Sequence, residues 1–503
     1  MQSGNKPIRR RKKTFGAKSI DKGGSSNRSE VDSRDNTEQK SPYMSVKKFT
    51  ARKKTVSRKT LIRRTPRESA VFVISKWLRS MVRIDFLVDD IIGKYGWSQK
   101  DKNLFYELVY GTVKWQGRLQ WILNQLTDRF DNNPETARAA AYIGVYQLLF
   151  LDRVPDFAVV HSIVEIVKDK HDQATAGWIN ALLRRICRET EIWTEILPET
   201  TDRFEKLSVE YSFPDWMIER WSKQLDKDQL REFLGWNNRS PEVVFRINTQ
   251  QADLKKVIGF LEKDEIAHRV SEFDPSYIIL KHSGNISKVE SVRKGLVVVQ
   301  DHAQGIPAIL LDPQPGEIIL DLCSAPGGKS GHLAELCPQA EIIATDKSED
   351  RLIKVNDLVD RCQYDNLKVK QYQEILSSST KYDAILIDAP CTGTGVMARR
   401  PDLRWRQAPG DAKKMAGIQR QLLRYASERL KIGGRIVYST CSVEQEENEV
   451  IVDEFLSQHS NYNVADGKSK YFDKEYCKNG RIRVFGPEIK GDGIFAVVMR
   501  RLK

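Results

Sequence analysis

The chain has 503 residues, is 40% hydrophobic and has a mean hydropathy of −0.50. It contains no apolar run of about 18 residues, so no membrane span is expected, and its length suggests about three domains. Its seven cysteines (Cys187, Cys323, Cys337, Cys362, Cys391, Cys441 and Cys477) are odd in number and include no Cys-x-x-Cys pair. That argues against a disulfide framework and a metal site, and for a reducing compartment.

The net charge of +14 sits at one end. Residues 1–64 carry 20 Lys and Arg against 5 Asp and Glu, a net of +15, and the other 439 residues come to −1. This stretch is rich in Lys, Arg, Ser and Gly, lacks the apolar core of a secretory signal, and reads as a disordered basic tail. Such a tail either neutralises phosphates or is only solvated; its Arg9–Lys13 run resembles a nuclear address, a weak signal. From residue 65 to 195 apolar residues recur at helical spacing. Helices are predicted over Ala70–Met81, Phe105–Trp115, Leu119–Leu126, Thr136–Leu151, Phe157–Lys168 and Thr175–Arg188, an all-α bundle. Residues 200–300 are mixed. Val243–Ile247 and Gly295–Gln300 read as strands and Asp253–Glu262 as a helix, a small α/β module.

From residue 301 strands and helices alternate. Strands are predicted over Glu317–Leu322, Glu341–Thr345, Leu367–Lys370, Asp383–Ile387 and Gly434–Ser439. Helices are predicted over Lys329–Leu336, Glu349–Asp360, Asp411–Leu430 and Glu444–Gln458. This pattern implies a parallel sheet covered on both faces, with Ile494–Arg500 as an antiparallel edge strand. The fold class is therefore multidomain: an all-α bundle, a small α/β module and an α/β Rossmann-like domain.

In open α/β sheets ligands bind beyond the carboxyl ends of the strands. The first strand of the last domain runs into Asp321-Leu-Cys-Ser-Ala-Pro-Gly-Gly-Lys329 and the second ends at Asp346. The fourth runs into Asp388-Ala-Pro-Cys391 and the fifth into Ser439-Thr-Cys441. All the reactive groups thus fall on one rim. Gly328-Lys-Ser330 suggests a phosphate loop, but the position that needs a first glycine is Cys323, and no Gly-x-Gly-x-x-Gly occurs. Asp346 stands where a carboxylate can accept from ribose hydroxyls. Cys391 and Cys441 would flank one pocket beside Asp388 if the fourth and fifth strands are neighbours.

These stretches, with Arg399–Trp405 (RRPDLRW) and Tyr438–Glu447 (YSTCSVEQEE), resemble the motifs of the Nop/Sun family of RNA 5-methylcytosine methyltransferases. Glu107–Lys114 (ELVYGTVK), Gln147–Pro155 (QLLFLDRVP) and Asn180–Arg185 (NALLRR) resemble the NusB-like RNA-binding domain of the bacterial branch that modifies small-subunit ribosomal RNA. Phe245–Asn248 (FRIN) and Val299–Asp301 (VQD) resemble its middle module. The resemblance implies a NusB-like domain over 65–195, an RNA-recognition module over 200–300 and an S-adenosylmethionine methyltransferase domain over 301–503. It further implies a cytoplasmic monomer that acts on ribosomal RNA and uses neither metal nor membrane.

By the same resemblance Cys323, Ser324, Ala325, Pro326, Gly327, Gly328, Lys329, Asp346, Gln373 and Asp388 line the S-adenosylmethionine site. Cys441 is the nucleophile, Cys391 assists product release and Asp388 contacts the base. Three positions depart from the family pattern. Ser324 replaces an alanine, Gln373 replaces an acid near the adenine, and Gln300-Asp-His-Ala-Gln304 stands for Gln-Asp-Glu-x-Ser. Arg399, Arg400 and Arg404 are candidate contacts to the RNA backbone. Two other readings share parts of the pattern: a transfer-RNA methyltransferase of the same family, and a non-catalytic RNA-binding factor, to which Gln373 lends weight.

Overall fold

The computed structural model describes residues 64–128, 130–281, 286–465 and 475–503. The basic tail, apart from Arg64, and its Arg9–Lys13 run lie outside the described residues.

The helical region begins where its sequence provides a start signal. Thr65 accepts from the Glu68 amide, Glu68 reaches back to the Thr65 amide, and Pro66 opens the helix Pro66–Ser80. Ser98 and Asp101 repeat the arrangement for Gln99–Leu126. Glu135–Phe150, Asp156–Lys168 and Gln173–Arg188 follow. Their apolar stripes close one core that includes Trp77, Phe105, Leu123, Tyr142, Ile163 and Leu183. Each such side chain stabilises by about 1.5–3 kcal/mol on burial. Two expectations change here. Phe105–Trp115 and Leu119–Leu126 are parts of one 28-residue helix, and Ile84–Ile92 is an additional one. Gly117 does not break the long helix; it leaves room for the Trp405 ring, 2.7 Å from where a Cβ would stand.

Residues 203–238 form three helices, Arg203–Tyr211, Asp215–Trp221 and Lys227–Asn238, two of them capped by Asp202 and Asp226. They precede a four-stranded antiparallel sheet of β1 (Val243–Ile247), β2 (His268–Val270), β3 (Tyr277–Leu280) and β4 (Val297–Val299), in the order β2-β3-β1-β4.

The large sheet holds β5 (Ile318–Asp321), β6 (Glu341–Ala344), β7 (Leu367–Val369), β8 (Tyr382–Asp388), β9 (Leu430–Thr440), β10 (Tyr462–Val464), β11 (Cys477–Lys478), β12 (Arg481–Val484) and β13 (Ile494–Arg501). Its order is β11-β12-β13-β9-β8-β5-β6-β7, with β10 pairing β13. β5 to β9 are parallel. Alternation sorts their side chains onto two faces. Ile319, Ile342, Leu386 and Val437 face one core, and Leu320, Ile343, Ile385 and Ile436 face the other. The last strand is antiparallel to β9 as expected, yet it is not an edge, because β12 and β10 pair with it. The final predicted helix starts late, at Glu449, after a short turn at Gln445–Glu447. An additional helix, His302–Leu311, leads into β5.

Candidate active site

Neighbouring strands bring distant motifs to one rim. Asp321 of β5 is level with Ala344 of β6 and Leu386 of β8, and Asp388 of β8 pairs with Ser439 of β9. The loops beyond these ends form the site.

Cys391 and Cys441 meet there, with their sulfurs 3.2 Å apart. Both are half-buried. The hydrogen bond to Cys441, and then burial, push the Cys391 thiol well above its usual range, so Cys391 keeps its proton. Beside them the Lys329 ammonium donates to Asp388 Oδ2 at 2.8 Å and to Gln304 Oε1 at 2.8 Å. Ser439 Oγ donates to the other Asp388 oxygen at 3.1 Å. Burial opposes the charge on Lys329, but Asp388 outweighs it and holds the pKa above the ordinary lysine value. The lysine therefore stays charged at the rim.

The cofactor loop is built around Asp346. Its carboxylate accepts from the amides of Ala325 at 3.3 Å and Ser348 at 2.9 Å, and pairs with Arg351 at 3.2 Å. Gly327 takes φ +102, open to glycine, and starts the helix Gly328–Leu336. Ser324 is buried, and its hydroxyl has no hydrogen-bond partner among the described residues. Cys323, at the end of β5, is half-buried, and burial with the nearby carboxylates pushes its thiol well up. Asp321 below it is buried and accepts from Ser330 Oγ at 2.6 Å; burial pushes its pKa up to about 7. A carboxylate at the end of β6, a glycine turn opening a helix and a second carboxylate at the end of β8 form a donor set that suits a charged nucleoside.

Not every predicted residue joins this group. Gln373 is exposed in the first turn of the short helix Tyr372–Ser377. Arg399 is committed to Asp301 at 2.7 Å and Asp492 at 2.8 Å. Arg404 is fully buried and donates to the carbonyls of Lys114, Ser212 and Asn237. Neither of these two is free to contact RNA, because acceptors inside the fold hold them; Arg400 is exposed. The turn at Gln300–Gln304 is also explained. Gln300 receives Arg246, Asp301 caps the following helix and receives Arg399, and Gln304 receives Lys329. Gln304, Ser439 and Glu447 had no part in the predicted site, since no local motif announces a partner so distant in sequence. A groove of about 810 Å³ lies away from this rim, between Asp156–Lys168 and Gln173–Arg188.

Comparison with known proteins identifies the domains. Residues 308–500 match the 16S rRNA methyltransferase RsmB/F family, 64–188 the NusB family, and 213–287 the ferredoxin-like domain of RsmF/B-like methyltransferases. The ribosomal RNA small subunit methyltransferase B of Proteus mirabilis is 33% identical over 365 residues, covering 72% of this chain and 84% of that one. The chain belongs to the RsmB/F methyltransferase family. The probable ribosomal RNA small subunit methyltransferase B of a Synechocystis species is 32% identical, over 75% of this chain and 86% of its own. The solved structure of PH0851 superposes with a TM-score of 0.73 at 27% identity, covering 87% of this chain and 99% of its own. As a member of this family the protein is a methyltransferase that uses S-adenosylmethionine, and its NusB-like and methyltransferase domains are those expected. Among the described residues no helix is long and apolar enough to cross a membrane, and no group of three or more His, Cys, Asp or Glu is placed to hold a metal.

Proposed function

We propose that the protein methylates carbon 5 of a cytosine in small-subunit ribosomal RNA through a covalent adduct with Cys441. The observation that carries this reading is the thiol pair, 3.2 Å apart beside the Lys329–Asp388 ion pair.

Carbon 5 of cytosine is too weak a nucleophile to react unaided. Addition of a Cys441 thiolate at carbon 6 makes the ring enamine-like, splitting one hard step into easier ones. S-adenosylmethionine supplies the methyl group; Cys323–Lys329, Asp346 and Asp388 are the residues that would hold it. Asp388 accepts from Lys329 and Ser439 and keeps lone pairs that would accept from the base's exocyclic amine. Once Cys441 is bonded to the base, a water positioned by the Cys391 thiol takes the carbon 5 proton and Cys441 departs. The base must leave its stack to reach these groups. The bundle and the basic tail would hold the RNA, with exposed Arg400 as a further contact, in a cytoplasmic monomer.

The test uses radiolabelled S-adenosylmethionine with unmodified small-subunit ribosomal RNA, beside transfer RNA and a Cys441→Ala control. Label in 5-methylcytosine of the ribosomal RNA, lost in the control, is expected. Label confined to transfer RNA would move the substrate class. Label surviving in Cys441→Ala would remove the nucleophile.

A further inference from the structure

The motif that supplies Cys441 ends in Glu447, a buried carboxylate with no part in the reaction outlined above. Its Oε1 accepts from the Thr392 amide at 2.9 Å and from Gln419 Nε2 at 3.2 Å. Its Oε2 accepts from the Thr392 hydroxyl and, at 2.5 Å, from the Ser442 hydroxyl. Thr392 directly follows Cys391, and Ser442 directly follows Cys441. One side chain thus grips the residue next to each thiol.

The strand ladder does not do this work. β8 and β9 are paired to Asp388 and Ser439, and the bond from the Ala389 amide to the Ser439 carbonyl continues that pairing just past the end of β8. Beyond it Glu447 shares the work with the Gly395 amide, which donates to the Cys441 carbonyl at 2.9 Å, with the Thr394 hydroxyl, which accepts from the Val443 amide at 3.0 Å, and with the Ser442 hydroxyl, 3.1 Å from that of Thr392 and 3.2 Å from that of Thr394; of these, Glu447 is the side chain that holds the residue after each thiol at once. The short turn at Gln445–Glu447 brings the Glu447 carboxylate back to Thr392 and Ser442, and the helix starts at Glu449. A carboxylate suits the position because it accepts four hydrogen bonds and donates none. An amide there would turn one acceptor into a donor facing other donors.

We infer that Glu447 is a positioning residue for the thiol pair: its clamp on Thr392 and Ser442 sets the separation and direction of the Cys391 and Cys441 sulfurs. What the pair then does rests on the function proposed above; the clamp itself does not.

The experiment uses the full chain as wild type, Glu447→Gln, Glu447→Asp and Thr392→Val, each treated with diamide. The two thiols give up their hydrogens to the N=N bond, which becomes a hydrazine, and one S–S bond forms between Cys391 and Cys441. Mass mapping follows its rate, and melting is recorded alongside. Sulfurs held in contact should couple fast. A shift of about 1 Å costs up to about 100-fold, so Glu447→Gln should couple at least about tenfold more slowly. Glu447→Asp keeps the charge, loses reach and should also be slow, which separates position from electrostatics. Thr392→Val keeps the amide bond, loses one hydroxyl donor and should fall between; it decides the matter if the Glu447 variants do not fold. A wild-type rate in any folded Glu447 variant, or in Thr392→Val where those do not fold, overturns the inference, as does a wild-type protein that forms no such bond. Failure to trap an RNA adduct in any variant would count against the reaction and leave the coupling rates to judge the clamp.

Discussion

Residues 388–395 and 399–406 run from the last residue of β8 into one connection, yet they differ in what their polar groups do. The first stretch presents half-buried groups at the rim, with Asp388 and Cys391 facing Lys329 and Cys441. The second is a strut. Arg404 is sunk among the long helix and the helices of 203–238, donates to three carbonyls and to Asn238 Oδ1 at 2.8 Å, and lies 3.8 Å above the Phe213 ring. Trp405 donates to the Val113 carbonyl at 2.6 Å, and Arg406 to that of Met81 at 3.0 Å. Burial lowers the Arg404 pKa to about 9. The difference teaches that a basic run in a sequence says little about exposure until the acceptors waiting for it are known. Here the same connection presents a thiol at the rim at one end and joins the helical region to the sheet domain at the other.

Substitutions should split along that line. Cys441→Ala should cut methyl transfer by at least about 1,000-fold, as loss of a covalent nucleophile does, with an unchanged denaturation midpoint. Arg404→Met should do the reverse. It leaves buried carbonyls without their donor and should destabilise by about 3 kcal/mol, while the folded fraction keeps its methyl-transfer rate. Chemical denaturation of both variants checks the pair; equal midpoints for Arg404→Met and wild type would erase the distinction.

A smaller effect is expected below the rim, at Asp321. Its folded pKa is raised to about 7 from a model-compound value of 3.8. Between those values the folded state binds more protons than the unfolded one, so this residue's contribution to stability falls as pH rises from about 4 to about 7. Asp321→Asn should flatten that slope in melting curves across the range. A slope identical in both proteins would mean that Asp321 does not titrate there.

The bundle was legible because its residues pack by period. Helical spacing located all six predicted stretches of its core, two of them in one helix; the junction at Gly117 misled, since the ring it admits belongs to Trp405, and Ile84–Ile92 was missed. The parallel strands were legible for a similar reason, and the two thiols because each follows a strand directly. The polar network was not. Ser439 meets Asp388 across 51 residues, Lys329 meets Gln304 across 25, and Glu447 meets Thr392 across 55. No local pattern encodes such pairs; adjacent strands create them. The inner place of β13 was hidden for the same reason, as β10 and β12 join it only through the fold. Arg399 and Arg404 misled because their acceptors come from Asp301, Asp492, Lys114 and Ser212, far along the chain.

The central claim is that Cys441 bonds to the base and Cys391 helps to release it. The most direct measurement is to incubate Cys391→Ala with small-subunit ribosomal RNA and S-adenosylmethionine and run the mixture on a denaturing gel. The account predicts a slow-migrating protein–RNA band that carries methyl label, accumulates in Cys391→Ala and vanishes in the Cys391→Ala, Cys441→Ala double variant. Free methylated RNA released at the wild-type rate, with no such band, would contradict it.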